Sequence, residues 1–216
     1  PSYSAGSGGG GGRTGSTGSN VTVDVGTYND AVEKDSLPFK DLEGFEWAKE
    51  YIKPLFAAGI ISGVSADEFR PDKAVKRCEV CKMMVNALGT EVIIGDNPFS
   101  DVSNDDWYAD FVVNAYENKL ISGFDGKFAP EESILRRDLA LIVARALESN
   151  GIAFVKGSDF DDISDDDMYA NEAISMLSAY GIISGKYGNS FAPADYVTRA
   201  EAAKIIRNMM VVIENE

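Results

Sequence analysis

Gly59-Ile60-Ile61-Ser62-Gly63 is the first of three copies of one short segment, which returns as Lys119-Leu120-Ile121-Ser122-Gly123 and as Gly181-Ile182-Ile183-Ser184-Gly185. The copies lie about 60 residues apart, and other motifs repeat around them in the same order. A fixed period of this length predicts one supersecondary unit used three times, with each unit burying its apolar face against its neighbours. A function should therefore be sought in what the copies share and in the grooves between them.

Each copy contains two stretches with the apolar periodicity of a helix. Before the glycine segment, apolar residues recur at the same offsets along one helical stripe. The glycines favour a helix stop followed by a tight turn. A Phe-x-Pro segment comes next, Phe69-Arg70-Pro71 in copy one, and a second apolar stripe follows it. We therefore predict a mainly all-α fold with two helices in each of three repeats.

The chain divides into a lead-in and three repeats. Residues 1–36 begin with a Gly/Ser-rich run, which is typical of a flexible, disordered linker, and Val21–Val25 alternates as a short edge strand would. Because the chain begins with Pro1 and not with Met, we expect a processed form or a fragment. The three repeats are assigned to residues 37–96, 97–157 and 158–216.

The composition excludes several classes of function. Twenty basic and 35 acidic residues give a formal net charge of −15, which opposes sequence-independent binding to nucleic acid or to an anionic membrane surface. It does not exclude an anionic ligand held by a few focused arginines. No apolar run approaches the roughly 18 residues that a membrane span needs. The chain has no histidine, so histidine-dependent catalysis and imidazole metal sites are excluded.

Two features with the composition of metal or redox sites have simpler interpretations. Cys78 and Cys81 have C-x-x-C spacing, but they lie in a helical apolar pattern without a second cysteine pair, so we interpret them as partly buried helix residues. The acidic run at 158–167 lacks the central glycine and closing glutamate of an EF-hand. We interpret it as a solvated loop, with calcium binding as the alternative, and we predict neither a metal nor a cofactor.

Thr198-Arg199-Ala200-Glu201 has the spacing of a helix capping box. The box explains the threonine and the glutamate, but not the arginine, because a cation in the first turn of a helix is mildly unfavourable. Arg77 and Arg136 nevertheless hold the same position in the other copies. Either each arginine pairs with a carboxylate of another copy, or the arginine and the helix amides bind an external anion. Candidate partner carboxylates are Asp41, Asp101 and Asp162.

Aromatic residues open the first predicted helix of each copy. Because Trp47, Trp107 and Tyr169 lie on the apolar stripe, we interpret them as core residues. The alternative is an exposed ring that lies against a sugar. The three aspartates that follow the repeated phenylalanine are most simply caps of a turn or of a helix start.

Taken together, these motifs resemble a triplet of S-layer homology domains over about residues 38–213. The matching signals are a Phe-x-Asp start, Trp-Ala or Trp-Tyr opening a helix, Gly-Ile-Ile-Ser-Gly, Phe-x-Pro and Thr-Arg-Ala-Glu. The resemblance implies a pseudo-threefold bundle of helix-loop-helix units. It also implies a non-catalytic module at the bacterial cell surface, which anchors a secreted protein to the cell wall.

The implied ligand is a secondary cell wall polysaccharide that carries pyruvate ketals, bound in grooves between neighbouring repeats. The arginine that contacts ligand in the family maps to Arg199 by the full motif, and to Arg77 and Arg136 by position only. Copies one and two lack the capping threonine, and copy three has Tyr169 in place of tryptophan, so we expect one or two weaker grooves. The candidate ligand-binding residues are Arg77, Arg136, Arg199, Trp47, Trp107, Tyr169, Asp41, Asp101, Asp162, Gly63, Gly123 and Gly185.

Two other classes of function are weighed against this hypothesis. The chain would be a protein-interaction scaffold if it assembled with other surface-layer proteins into a lattice. It would be a glycosidase if two of its carboxylates worked as a catalytic pair. With 35 acidic residues, however, carboxylate pairs are expected by chance. We therefore predict that the chain is not an enzyme.

Overall fold

The structure is a computed structural model and describes residues 37–90, 95–164 and 168–216. The Gly/Ser-rich lead-in and the predicted strand at Val21–Val25 lie outside these residues. Within them the chain forms α-helices and no named strand, which confirms the predicted fold class. The helices are α1 (Glu46–Ala57), α2 (Arg77–Leu88), α3 (Ala109–Glu117), α4 (Arg136–Ser149), α5 (Met168–Ala179) and α6 (Arg199–Asn215).

The predicted capping box starts α6. The amide of Glu201 donates to Thr198 Oγ1 at 3.2 Å, and the amide of Thr198 donates to Glu201 Oε2 at 2.9 Å. The α2 start keeps half of this arrangement, because the Lys76 amide donates to Glu79 Oε2 at 2.8 Å. A glutamate at the third helical position can thus close the helix start without a capping threonine.

The second helix of each copy packs mainly on the first helix of the next copy. The closest pairs are α2 with α3, α4 with α5, and α6 with α1, so the third copy closes back onto the first. This cyclic packing is the expected pseudo-threefold bundle. No copy has a complete core of its own, because the apolar stripe of each helix is covered by a different copy.

Three backbone hydrogen bonds join the copies at the centre of this ring. The Val75 amide donates to the Val197 carbonyl, Val197 to Ile134, and Ile134 to Val75, at 2.9, 3.1 and 3.0 Å. All three side chains are buried. The loops before α2, α4 and α6 are therefore fixed together, and the three helix starts that carry the arginines face neighbouring copies.

The phenylalanines of the Phe-x-Pro segments fill the core next to these helix starts. Phe69, Phe128 and Phe191 are buried, which stabilises the fold by about 1.5–3 kcal/mol for each ring relative to an exposed one. The residue after each phenylalanine has a positive φ, between 56° and 59°, so the chain turns sharply away from the buried ring. Among the described helices, none is both long enough and apolar enough to cross a membrane.

Candidate functional site

Each repeated arginine packs on the buried phenylalanine of the next copy. Arg199 Nε donates to the carbonyl of Phe69 at 2.8 Å, and its guanidinium carbon lies 4.8 Å from the centre of that ring. Arg77 on Phe128 and Arg136 on Phe191 repeat both contacts, with hydrogen bonds of 2.9 and 3.0 Å. The arginines therefore fasten the three copies to one another.

The guanidinium also faces an acidic residue of the next copy, in the first turn of that copy's second helix. Arg199 Nη1 lies 3.0 Å from Glu79, Arg77 Nη1 3.4 Å from Asp138, and Arg136 Nη1 3.9 Å from Glu201. The interpretation that each arginine pairs with a carboxylate of another copy is thus confirmed, although the carboxylates are not the ones proposed. We call each set of arginine, phenylalanine and acid an arginine latch.

The three latches differ in the burial of the arginine and in the number of polar contacts that it makes. Arg199 is only 8% exposed and donates a further bond from Nη2 to the Ser62 carbonyl at 2.7 Å. Burial lowers the pKa of Arg199, and Glu79 opposes that shift; the guanidinium stays charged at neutral pH. Arg136 is equally buried, but its distance to Glu201 exceeds that of a hydrogen bond. Arg77 is the most exposed, at 20%.

The helix-start amides of α2, α4 and α6 already have acceptors in the next copy. In α6, the amides of Arg199 and Ala200 donate to the carbonyls of Lys73 and Pro71, at 2.9 and 3.0 Å. The first two amides of α2 and of α4 do the same, at 2.9–3.2 Å. These amides are therefore not free to bind an external anion, and that part of the anion hypothesis is wrong.

The three predicted aspartates cap the turn at the Phe-x-Pro segment of their own copy. The Asp101 carboxylate accepts from the amides of Phe128 and Ala129, both at 2.8 Å. Burial by itself raises the pKa of Asp101, but these amides outweigh it and leave the pKa below its ordinary value. Asp41 and Asp162 make the equivalent bonds. Their interpretation as turn caps is confirmed, and within the described part of the chain none of the three forms an ion pair with a repeated arginine, although the charges of Asp41 and Asp162 act on Arg199 and Arg136 from a longer distance.

The candidate glycines are sites of close approach. A Cβ at Gly123 would lie 2.4 Å from the Phe99 ring and 2.5 Å from the Lys127 carbonyl. Gly63 is as crowded, whereas the nearest atom to a Cβ at Gly185 would be 2.8 Å away. Glycine is thus favoured by packing at all three positions, most strongly at Gly63 and Gly123, before any contact with a ligand is considered.

Three grooves open beside the latches, and we name each by its arginine. Each is lined by the arginine of one copy and by two parts of the next copy. These parts are the Ile-Ser residues of the repeated glycine segment and the second helix. The Arg136 and Arg199 grooves also receive the tryptophan of the remaining copy, Trp47 and Trp107 respectively. Their volumes are about 1030 Å³ for the Arg77 groove, 210 Å³ for the Arg136 groove and 60 Å³ for the Arg199 groove.

The aromatic residues that open the first helices lie on the surface. Trp47, Trp107 and Tyr169 are 43%, 57% and 72% exposed, so their interpretation as core residues is wrong. The buried face of α1 runs through Ala48, Ile52 and Leu55, and Trp47 lies at its edge. Two tryptophans and the three arginines are brought to the grooves, whereas Tyr169 is not among the residues that line them.

Sequence reasoning missed a lysine that faces each tryptophan across the two narrow grooves. Lys204 Nζ lies 5.9 Å from the centre of a Trp47 ring, and Lys82 Nζ lies 5.6 Å from Trp107. We call each lysine and its tryptophan a rim pair. Both lysines follow the repeated arginine by five residues, a shared offset that could have identified them. The same position in copy two is Leu141.

The cysteines and the acidic run show no arrangement for metal or redox chemistry in the described residues. Cys78 and Cys81 are buried, and burial raises the pKa of the Cys78 thiol to about 12 and that of Cys81 as well. No group of three or more metal-ligating side chains is found in residues 37–90, 95–164 and 168–216. Residues 165–167 of the acidic run lie outside the described part of the chain.

Comparison with known proteins identifies the repeat. The sequence profile of the S-layer homology domain matches residues 38–81, 98–140 and 159–203. An exoglucanase XynX of Acetivibrio thermocellus is 34% identical over 185 residues, covering 83% of this chain and 17% of the relative. An amylopullulanase of Thermoanaerobacterium thermosulfurigenes is 35% identical over 179 residues, covering 80% of this chain and 9% of the relative.

A relative that is not named as an enzyme matches over a similar length. The surface-layer 125 kDa protein of Lysinibacillus sphaericus is 32% identical over 171 residues, covering 77% of this chain and 14% of the relative. The chain thus spans less than a fifth of the length of each of these three relatives.

Proposed function

Because the chain belongs to the S-layer homology domain family, we propose that it is a non-catalytic module that binds secondary cell wall polysaccharide in its inter-repeat grooves. The family and its S-layer relatives indicate a protein of the cell surface, associated with the cell wall. Domains of this family anchor S-layer proteins and surface enzymes to the wall. The relatives named as enzymes match this chain over a small part of their length, which supports a module without catalysis.

The observation that carries the proposal is the rim pair beside a buried arginine. Lys204 and Lys82 make no ion pair with the described residues, yet each lines a groove that also contains a guanidinium. Each of the two grooves contains more cationic side chains than carboxylates, although the chain carries −15 overall. These grooves therefore favour an acidic group, while the rest of the surface repels polyanions.

The two lysines are placed to bind that acidic group more directly than the arginines are. Arg199 is already bonded to Phe69, Glu79 and Ser62, so most of its donors are used. An ammonium at the rim has three donors and a flexible stem that reaches toward the solvent. We propose that it binds the carboxylate of a pyruvate ketal, and that the tryptophan beside it covers the sugar ring that carries the ketal.

The Arg136 groove is the stronger of these two sites in our proposal. Its volume exceeds that of the Arg199 groove, and a third cation, Lys186, lines it. Lys186 Nζ lies 3.1 Å from Asp195 Oδ2 and 3.5 Å from Glu201 Oε1. It therefore contributes positive charge to the groove rather than a free hydrogen-bond donor. Weak sites of this kind gain avidity when several grooves meet one polymer.

The test compares a chain with Lys82→Gln and Lys204→Gln with the unaltered chain. We expect the double variant to bind native wall polysaccharide about tenfold or more weakly, as the loss of hydrogen bonds to a charged group requires. The measurement is calorimetric titration with purified polysaccharide, before and after chemical removal of its pyruvate. Lys156→Gln is the matched control, since Lys156 is exposed and lines none of the three grooves.

Two results would refute the proposal. One is unchanged binding of native polysaccharide by the double variant, provided that its melting temperature is also unchanged. The other is equal loss of binding in the Lys156→Gln control, which would mean that any lost charge on the surface has the same effect. A chain that binds pyruvate-free polymer as tightly as native polymer would refute the carboxylate part alone.

The scaffold hypothesis keeps one observation in its favour. Phe154 and Val155 are adjacent and exposed, and they line none of the grooves. An apolar pair outside the grooves is a possible contact with another protein. Sedimentation of the purified chain without glycan tests this hypothesis, since a lattice subunit would assemble and a wall anchor would stay monomeric.

A further inference from the structure

The Arg77 groove differs from the other two in both size and chemistry. It has no rim pair, because Leu141 replaces the lysine and Tyr169, which replaces the tryptophan in sequence, does not line it. Its volume of about 1030 Å³ is several times that of the Arg136 groove. Sites for small organic molecules commonly enclose about 300–1,000 Å³, so this groove has room for more than one sugar ring.

Two exposed aromatic rings stand on the walls of this groove. Phe124 is 88% exposed and belongs to a tight hairpin turn in which Phe124 and Lys127 exchange backbone hydrogen bonds of 2.9 and 3.0 Å. Tyr196, from the third copy, is 58% exposed. Neither ring is needed for the core, because both leave most of their surface in water. Single exposed apolar residues are ordinary, but here two rings from different copies line one cleft.

The charges that line the Arg77 groove cancel, in contrast to those of the other two grooves. Arg77 is paired with Asp138 in its latch, and Arg145 donates from Nη1 to the Leu120 carbonyl at 3.1 Å. The groove therefore has no excess positive charge to attract an acidic group. Its cationic and acidic lining residues are Arg77, Lys127, Arg145, Asp125, Glu132 and Asp138.

We infer that the Arg77 groove binds uncharged sugar rings of the same polymer whose acidic group is bound in the other two grooves. A sugar ring has an apolar C–H face, which packs on Phe124, and hydroxyl groups, which meet the Tyr196 hydroxyl and the polar side chains of the groove. This inference rests on the proposed function, and it divides the recognition of one polysaccharide between two kinds of groove.

The test uses two polymers and two sets of variants. The polymers are native wall polysaccharide and the same material with its acidic groups removed. We expect Phe124→Ala with Tyr196→Ala to weaken the binding of both polymers about tenfold, as the loss of two aromatic contacts implies. Lys82→Gln with Lys204→Gln should weaken the binding of native polymer only. Phe154→Ala is the matched control, an exposed phenylalanine outside the grooves, and should change neither.

Each result decides between the two proposals. If the aromatic variant binds both polymers normally, the inference is overturned while the anchoring proposal stands. It is also overturned if the unaltered chain binds native polymer and fails to bind the neutral one. If neither polymer binds the unaltered chain, both proposals fail. A second variant, Leu141→Lys, places a lysine on the wall of the groove and should weaken the binding of neutral polymer by narrowing the groove; unchanged binding would contradict the inference.

Discussion

Replacing Arg199 by alanine should destabilise the fold more than any other arginine-to-alanine change in the latches. The side chain is 8% exposed, and its three donor nitrogens bond Phe69, Glu79 and Ser62 at 2.7–3.0 Å. Removal takes a donor from two carbonyls and from one oxygen of the partly buried Glu79 carboxylate, whose other oxygen still accepts from the Lys76 amide. Breaking a buried ion pair by deleting one partner costs about 3–5 kcal/mol, and we expect an effect in that range.

The assay is urea unfolding followed by circular dichroism, with the free energy of unfolding extrapolated to water. For a chain of this size, a loss of 3–5 kcal/mol corresponds to a fall in the melting temperature of roughly 6–20 °C. Arg77→Ala is the comparison within the same chain. Arg77 is 20% exposed and its contact to Asp138 is long, at 3.4 Å, so we expect a loss of about 1–2 kcal/mol.

A double-mutant cycle separates the ion pair from the packing of the guanidinium on Phe69. Adding Glu79→Gln to Arg199→Ala removes the charge that the first change left unpaired, so the two losses should not add. The latch argument would fail if Arg199→Ala cost less than about 1 kcal/mol. It would also fail if Arg77→Ala proved the more damaging change. The first outcome would mean that the arginines do not fasten the copies together, and the second that burial and ion-pair distance do not set the strength of a latch.

Three further predictions concern other structural features of the repeat. The pKa of Asp101 is lowered in the folded state, so its charge stabilises the fold at neutral pH. That contribution is lost as the pH falls below about 4. In an acid titration, the stability of Asp101→Asn should therefore fall less steeply than that of the unaltered chain. Gly123→Ala should lower the melting temperature more than Gly185→Ala, because its Cβ would lie 2.4 Å and not 2.8 Å from the nearest atom; equal effects in a thermal melt would contradict the packing argument. Cys78 and Cys81 should not react with a thiol reagent at pH 8 until the chain unfolds, since burial raises both pKa values; rapid labelling of the native protein would refute this.

The repeat, the helix pairs and the capping box could be predicted from the sequence because they depend on local spacing. Apolar residues at helical offsets place one face of a helix whatever its partner is. The Thr198 and Glu201 box joins residues three positions apart, so both partners are visible in one line of sequence. The role of the three aspartates as caps can also be predicted, because a short acidic side chain near a turn commonly accepts from backbone amides.

The partners of the arginines could not be predicted, because they depend on how the copies close into a ring. Arg199 meets Glu79, which is 120 residues away, and the sequence offers 35 acidic residues as candidates. The exposure of the tryptophans is a similar case. A stripe of apolar residues places Trp47 on the inner half of α1 but does not say whether it lies at the centre or at the edge of that face.

The latch supports the fold and the rim pair is proposed to bind ligand, and this separation explains why the copies differ at the rim pair and not at the latch. The latch is repeated in all three copies, and any loss there would cost stability and so would be hard to tolerate. The rim lysines Lys82 and Lys204 are half-buried and lie outside the latch contacts. Copy two has Leu141 at the equivalent position, and the latch beside it is kept. Ligand preference can therefore change from groove to groove on one unchanged scaffold. For the same reason, replacing the arginines to test binding would confound a lost ligand with a lost fold, whereas the rim lysines and the exposed rings lie outside the latches and test binding more directly.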